Sequence, residues 1–440
     1  MRSLPVLILL ALWIGCGPSN RGDDGNAEDA PQGPDACEGL RCKVANCAAM
    51  GRPETSVSGT VFAPNGTLPL FGVTVYVPNT DPGFFTDGAQ CSRCENSLPG
   101  DPIAQTLSDT TGHFTVTGIP SGENIPLVIT IGKWRRQVKI PLVSDCTEVT
   151  LPADQTSLPK RKTEGEMPKI AIATGSCDAL ECLARKLGVA DSEFTSDLGD
   201  GRVHLFTSNG ASRTVTNQMF SPASALWGSV DKLKQYDLTM FSCECSQQAA
   251  QKPQSAMDAL KQYADLGGRV FLSHYHSVWI SGENGNTSHA PQVWPTVAQC
   301  HVDSTPSGAG VIDQVNNPRG PAFASWMLNV QGSSVLGQVA ITEQRQTCSS
   351  IDNTKAERWV YMESGGNQVI QNFQFTTPNE VPKEDRCGKV AFSDMHVASG
   401  SSSSSSTPFP NGCNSGPLTP QEKALAFMFF DIASCVGPIF

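Results

Sequence analysis

Tyr263-Ala264-Asp265-Leu266-Gly267-Gly268-Arg269-Val270-Phe271-Leu272-Ser273-His274-Tyr275-His276 is the stretch from which the rest of the chain is read. A helix that stops at a glycine pair and leads into an unbroken apolar run predicts an αβ unit whose strand is buried on both faces. Two histidines stand where that strand ends. In open α/β sheets the carboxyl ends of parallel strands gather ligands and chemistry, because the sheet fixes the backbone while the loops vary. His274 and His276 are therefore the first candidate site residues.

The same rhythm precedes this stretch. Residues 169–174 read as a strand, followed by Asp178 and a helix with Leu180, Leu183 and Leu187 on one face, closed by Gly188. Strands at 202–206, 238–242 and 269–273 alternate with helices at 223–233 and 254–264. This spacing predicts βαβ units in a mainly parallel sheet with helices on both sides. Four regular repeats are too few for an eight-fold barrel. After His276 the rhythm breaks, and residues 277–311, rich in Ser, Gly, Asn and Pro, read as a long irregular excursion. A helix over 321–330 turns Phe323 and Trp326 inward, and strands return at 359–363, 369–375 and 389–393. Thr419-Pro420-Gln421-Glu422 is a capping box with proline at the first helical position, and the apolar residues 425–432 predict a helix buried against the sheet.

The N-terminal part is built differently. Residues 1–15 carry one positive charge and a short apolar run, too short for a bilayer span of about 20 residues, which reads as a secretory leader. Trp13-Ile14-Gly15-Cys16 resembles a bacterial lipoprotein cleavage box, which implies a lipid on Cys16 and an anchor in the cell envelope, the outer membrane being the expected one. Residues 16–54, dominated at first by Gly, Asp, Pro and Asn, read as a disordered tether with a cysteine cluster. From 55 to 153, period-two alternation between turn residues predicts a sandwich of about seven short antiparallel strands, six of them at 56–62, 73–77, 113–117, 125–131, 137–142 and 147–151. Residues 154–168 read as a linker, and 169–440 as the α/β domain.

Ser58-Gly59-Thr60-Val61, Pro69-Leu70-Phe71-Gly72-Val73-Thr74-Val75, Asp109-Thr110-Thr111-Gly112-His113-Phe114 and Gly118-Ile119-Pro120-Ser121-Gly122 resemble, in that order, the carboxypeptidase regulatory-like domain, a transthyretin-like sandwich. The resemblance implies a non-catalytic module that stabilises, spaces or binds. Within it, Lys133-Trp134-Arg135-Arg136 is open to two readings. Trp134 and Arg135 can dock an acidic, carbohydrate or protein ligand by stacking and charge, or the run is a solvated strand edge whose charges discourage aggregation.

Tyr236-Asp237-Leu238, the glycine pair with its following histidine, and Gly388-Lys389-Val390-Ala391-Phe392 with a histidine just after resemble the class I glutamine amidotransferase-like fold, and within it the ThuA-like proteins. This implies a flavodoxin-like α/β domain over about 168–437. The turn that carries the amidotransferase cysteine reads Ser273-His274-Tyr275-His276 here, so the attacking thiol is missing. No Gly-x-Ser-x-Gly elbow surrounds Ser273, and no phosphate-cradling glycine loop occurs.

What remains is a histidine constellation. His274 and His276, two apart, point the same way if extended, and Asp394 and His396 end another predicted strand. If the strands are neighbours, His274, His276 and His396 suit a divalent metal such as zinc, or with Asp394 they suit metal-free acid–base work; equally, polar residues at strand ends tie loops together. Glu244, at the end of the third strand of this domain, borders the same expected crevice, and the serine run at 401–406 reads as a mobile insertion beside it. The net charge of -11 argues against nucleic acid as a partner. Sixteen cysteines behind a leader argue for disulfides in an oxidising compartment. Local pairing candidates are Cys37, Cys42 and Cys47 among themselves, Cys91 with Cys94 or Cys146, Cys348 with Cys387, and Cys413 with Cys435, while Cys243 and Cys245 are too close to bridge each other. Two functional readings follow: a non-catalytic binding or structural lipoprotein, or a ThuA-like hydrolase or metal-dependent enzyme acting outside the cytoplasm on a sugar or small polar substrate.

Overall fold

Alternating apolar residues build the first lobe as two small sheets. In this computed structural model, which describes residues 37–397 and 404–437, the strands are β1 (Ser56–Thr60), β2 (Thr74–Pro78), β3 (Pro102–Leu107), β4 (His113–Thr117), β5 (Gly122–Ile131), β6 (Trp134–Val143) and β7 (Glu148–Thr150). One sheet runs β4-β1-β7 and the other β3-β2-β5-β6. All neighbours are antiparallel except β1 and β7, which run parallel. The sequence conceals β3 because it is an edge strand, led by proline and nowhere fully buried, so it has no apolar face to announce it.

The leader at 1–15, Cys16 and the first part of the tether lie outside the described residues, as do 398–403 of the serine-rich stretch. From Gly39 onward the tether expectation is corrected: two short 3-10 turns, Gly39–Lys43 and Ala48–Met50, lead to Cys47, which is bonded to Cys146. Residues 152–168 form an ordered strap. Its single helical turn, α1 (Ala153–Thr156), donates from Thr156 Oγ1 to Thr60 O, Leu158 and Met167 are buried, and Glu166 bridges to Arg135 on β6.

The second lobe runs in chain order β8 (Ile170–Thr174), α2 (Leu180–Lys186), β9 (Phe194–Thr195), β10 (Val203–Thr207), β11 (Ser221–Pro222), α3 (Ala223–Trp227), α4 (Val230–Leu233), β12 (Leu238–Phe241), α5 (Gln254–Asp265), β13 (Arg269–Ser273), α6 (Val278–Ser281), β14 (Ala298–Ser304), β15 (Gly310–Ile312), α7 (Gly320–Asn329), β16 (Gln338–Val339), β17 (Gln346–Ile351), β18 (Ala356–Ser364), β19 (Asn367–Thr377), β20 (Gly388–Ser393) and α8 (Pro420–Ala433). Its large sheet is ordered β11-β10-β8-β12-β13-β20-β19-β18-β15-β16, with β9 beside β10. From β11 to β20 every pairing is parallel; from β20 outward every pairing is antiparallel. The sheet is thus mixed rather than mainly parallel, because hairpin connections replace helical crossovers after β18. The single helix expected at 223–233 is split between α3 and α4 at Gly228 and Ser229. The expected irregular excursion holds structure of its own: β14 pairs with β17, Cys300 and Cys348 join them, and Trp279 and Trp294 are buried.

Helices cover both faces of the sheet, α3, α4 and α5 on one side and α2 and α8 on the other. The α8 side is also where the sandwich docks, and one continuous apolar core runs from Val57 and Phe114 through Trp134 to Phe427 and Ile432. Trp134 lies 5.6 and 5.5 Å from the rings of Phe429 and Phe430, and Phe71 stacks on Phe427 at 6.2 Å. The described residues from Gly39 onward form one compact unit, in which α8 is enclosed between sheet and sandwich. That is why its middle is apolar on all sides instead of along one stripe.

None of the local cysteine pairings named above that involves residues 91–435 occurs. The bonds are Cys47–Cys146, Cys91–Cys387, Cys94–Cys435, Cys177–Cys245, Cys182–Cys413 and Cys300–Cys348; Cys37 and Cys42 are also disulfide-bonded. Chain folding brings together sulfurs as far as 341 residues apart, which no spacing rule can foresee. The Cys91–Cys94 loop of the sandwich is thereby bolted twice to the second lobe.

Candidate functional site: a buried cluster at three strand ends

β12, β13 and β20 are adjacent and parallel, in a register that pairs Leu238 with Arg269 and Arg269 with Lys389, so their carboxyl ends come level. Just past those ends stand Cys243, His274 and His396. The Cys243 sulfur is 3.2 Å from His274 Nδ1, and the His274 and His396 rings are 4.9 Å apart, edge to face. One ligand atom from each of the three residues lies within 4.8 Å of the others. Their residue exposures are 0, 3 and 4 %. Nε2 of both histidines lacks a hydrogen-bond partner among the described residues. His274 itself has φ of +46°, a left-handed conformation that costs a non-glycine residue about 1–3 kcal/mol and persists where surroundings enforce it. Burial, then the charge of His396 and of Arg345, hold the His274 imidazole down at about 3, and burial pushes the Cys243 thiol up to about 12.

Sequence reasoning placed His274 and His396 together and the structure does so. It missed Cys243, which looked like one more disulfide half; the usable signal was its place at a strand end in the same sheet. It also assigned His276 to the same group, and the structure separates it. His274–Ser277 is a 3-10 turn, not extended chain, so residues two apart do not share a side. His276 instead packs against Phe241 and Trp227, at ring distances of 5.4 and 6.2 Å. Trp279 Nε1 donates to its Nδ1 at 3.0 Å, which makes Nε2 the protonated nitrogen, and Nε2 donates to Ser242 O at 3.0 Å. Both nitrogens are used, and burial, then the Lys252 charge, keep the ring neutral, well below the usual histidine range.

Asp394 is turned toward Thr347, accepting from its backbone N at 2.9 Å and its Oγ1 at 2.7 Å. Burial raises its carboxyl to about 7. Asp178 is the tie that the sequence did not single out as a site residue. It accepts from Ser273 Oγ at 2.6 Å, from the Val397 backbone at 2.8 Å and from Ala179 N at 2.9 Å, fastening three strand-end loops together. Glu244 is buried against Lys252 at 2.5 Å and accepts from Ser208; its nearer oxygen is 3.6 Å from His276 Nε2. It therefore belongs to the His276 side.

Neither reading of the Lys133–Arg136 run describes Trp134 or Arg135. Both are buried in the seam between the lobes: Trp134 on α8, and Arg135 paired with Glu166 with its guanidinium 4.1 Å from the Phe85 ring. A cavity of about 780 Å³ lies elsewhere. It opens along that seam between Leu68 and Pro69 of the sandwich and Arg185, Asp191, Asn329 and Lys423 of the second lobe. Its cations are engaged, Arg185 with Asp191 at 2.6 Å and Lys423 with Val330 O at 2.7 Å.

No known protein-family model matches this chain, and no curated protein matches it. Among solved structures, an N-terminal interface mutant of a type II cohesin–X-dockerin complex from Acetivibrio cellulolyticus aligns with 16 % identity over 31 % of this chain and 85 % of that one, at a TM-score of 0.18. A C-terminal interface mutant of that complex aligns with 13 % identity over 34 % and 79 %, at 0.16. Scores this low carry no argument about fold or function.

Proposed function

We propose that this protein is a non-catalytic binding or structural protein of the cell envelope, anchored through a lipid on Cys16, whose second lobe is flavodoxin-like and of the ThuA-like kind. The observation that carries the non-catalytic reading is the enclosure of every candidate acid–base group: His274, His276, Asp394 and His396 are all at most 4 % exposed. A general base must reach its proton and must titrate near the working pH. Enclosure denies all four groups the first condition, and the His274 imidazole, held near 3, fails the second as well. The parallel order β10-β8-β12-β13-β20 supports the flavodoxin-like reading, since that arrangement reverses direction at β8 as doubly wound folds do. The disulfides, among them the Cys47–Cys146 and Cys94–Cys435 bonds, support an oxidising compartment, and no helix among the described residues is long and apolar enough to cross a membrane.

We assign ligand binding to the cavity along the seam, whose amide, hydroxyl and charged lining suits a small polar ligand or a polar loop of a protein partner. The full chain is expected to show no turnover of chromogenic esters and glycosides. Turnover that disappears in a His274→Ala/His396→Ala variant would replace this reading with the hydrolase. In a thermal-shift screen with oligosaccharides and acidic peptides, any stabilising compound should lose much of its effect in Asn329→Trp, which places an indole on the cavity lining. Radioactive fatty acid should label the wild type and not Cys16→Ser.

A further inference from the structure

We infer that Cys243, His274 and His396 form a copper-binding centre, with one thiolate sulfur and two imidazole nitrogens closing on the ion in a trigonal arrangement. The inference does not depend on ligand binding at the seam, because it rests on the strand-end geometry. Metal–nitrogen and metal–sulfur bonds of about 2.0 and 2.3 Å put ligand atoms of a trigonal set about 3.5 to 3.8 Å apart. Here the three lie within 4.8 Å and the Cys243–His274 pair lies at 3.2 Å, so taking an ion needs shifts of about an ångström or less.

Independent observations point to a ligand. His396 Nε2 is buried without a partner among the described residues, and a buried polar atom left so costs about 1–3 kcal/mol unless something is bound there. His274 is held in a strained backbone conformation that aims its ring at the Cys243 sulfur. Asp178 meanwhile clamps the loops from which His274 and His396 project, the outer support a metal site requires.

The choice of ion follows from the donors. A thiolate with two imidazoles suits zinc and copper alike. Zinc takes four ligands, whereas the described residues offer three His, Cys, Asp or Glu groups, and these are buried. When Cu(I) binds, the Cys243 S–H bond is replaced by S–Cu and the proton leaves to solvent, so ion and thiolate enter as a neutral pair. Zinc on the same set would leave a net positive charge buried near Arg345, which is costly in a low-dielectric interior.

The test is anaerobic Cu(I) titration of the full chain against a chromophoric chelator, with elemental analysis of protein from copper- and zinc-supplemented cultures. One copper per chain is expected. Cys243→Ala and His396→Ala should each weaken it by more than the roughly 10–100-fold that loss of an outer-shell partner costs. His276→Gln should retain it. Circular dichroism melts report whether each variant folds, and X-ray absorption on the wild type needs no variant: its shell should hold one sulfur and two imidazoles. Absence of bound copper, a shell without sulfur, or retention of copper in folded Cys243→Ala overturns the site. Stoichiometric zinc that copper does not displace overturns the choice of ion.

Discussion

His204 shows how one residue sets a response to pH. It is buried on β10 with Nδ1 2.9 Å from the Tyr236 hydroxyl, and burial, with the Lys169 charge next, lowers it to about 4. Tyr236 is itself pushed upward by burial, so it keeps its proton and donates to a neutral ring. The unfolded chain binds a proton at this position below about 6.5, and the folded chain does so only below about 4. Stability from this group is therefore present above 6.5 and is lost as pH falls toward 4, by about 2 kcal/mol after allowance for solvent screening. Denaturant unfolding of the wild type between pH 4 and 7 should show this slope, and His204→Gln should flatten it. An unchanged slope in the variant would place the acid sensitivity elsewhere.

At the scale of elements, α8 bears the most weight. Its capping box forms as the sequence implies, with Thr419 accepting from Glu422 N, and Glu422 also pairs with Lys186 of α2 at 2.7 Å. Thr419→Ala should cost about 1 kcal/mol. Phe427 touches Phe71, Phe323, Trp326 and Trp359, rings from both lobes, so Phe427→Ala should cost about 3–5 kcal/mol in urea denaturation. A loss below about 1 kcal/mol would mean the interface repacks freely. The glycine pair after α5 has a second use that its sequence does not reveal. Gly267 has φ of +108°, and a Cβ there would collide with the backbone at Gln90, where the sandwich loop lies against the second lobe. Gly267→Ala should therefore lower the melting temperature by more than Gly365→Ala, a glycine of positive φ with open space around it.

For the whole molecule, the shared core and the two bolts from the Cys91–Cys94 loop predict that sandwich and α/β lobe unfold together. Calorimetry and fluorescence should give one coincident transition; two resolved steps would contradict a common core. Replacing Cys94 and Cys435 by alanine should cost about 2–4 kcal/mol, since that bond closes a very long loop. Sequence alone determined most strands of both lobes, the α5–β13 unit, the α8 cap and the placing of His274 and His396 at strand ends, because local periodicity and turn chemistry are written in neighbouring residues. Only the tertiary structure decided the disulfide partners, the burial of Trp134 and Arg135, the separation of His276 and the entry of Cys243. Each of these depends on which distant segments face one another, or on a turn whose geometry packing selects, and no spacing along the chain encodes that.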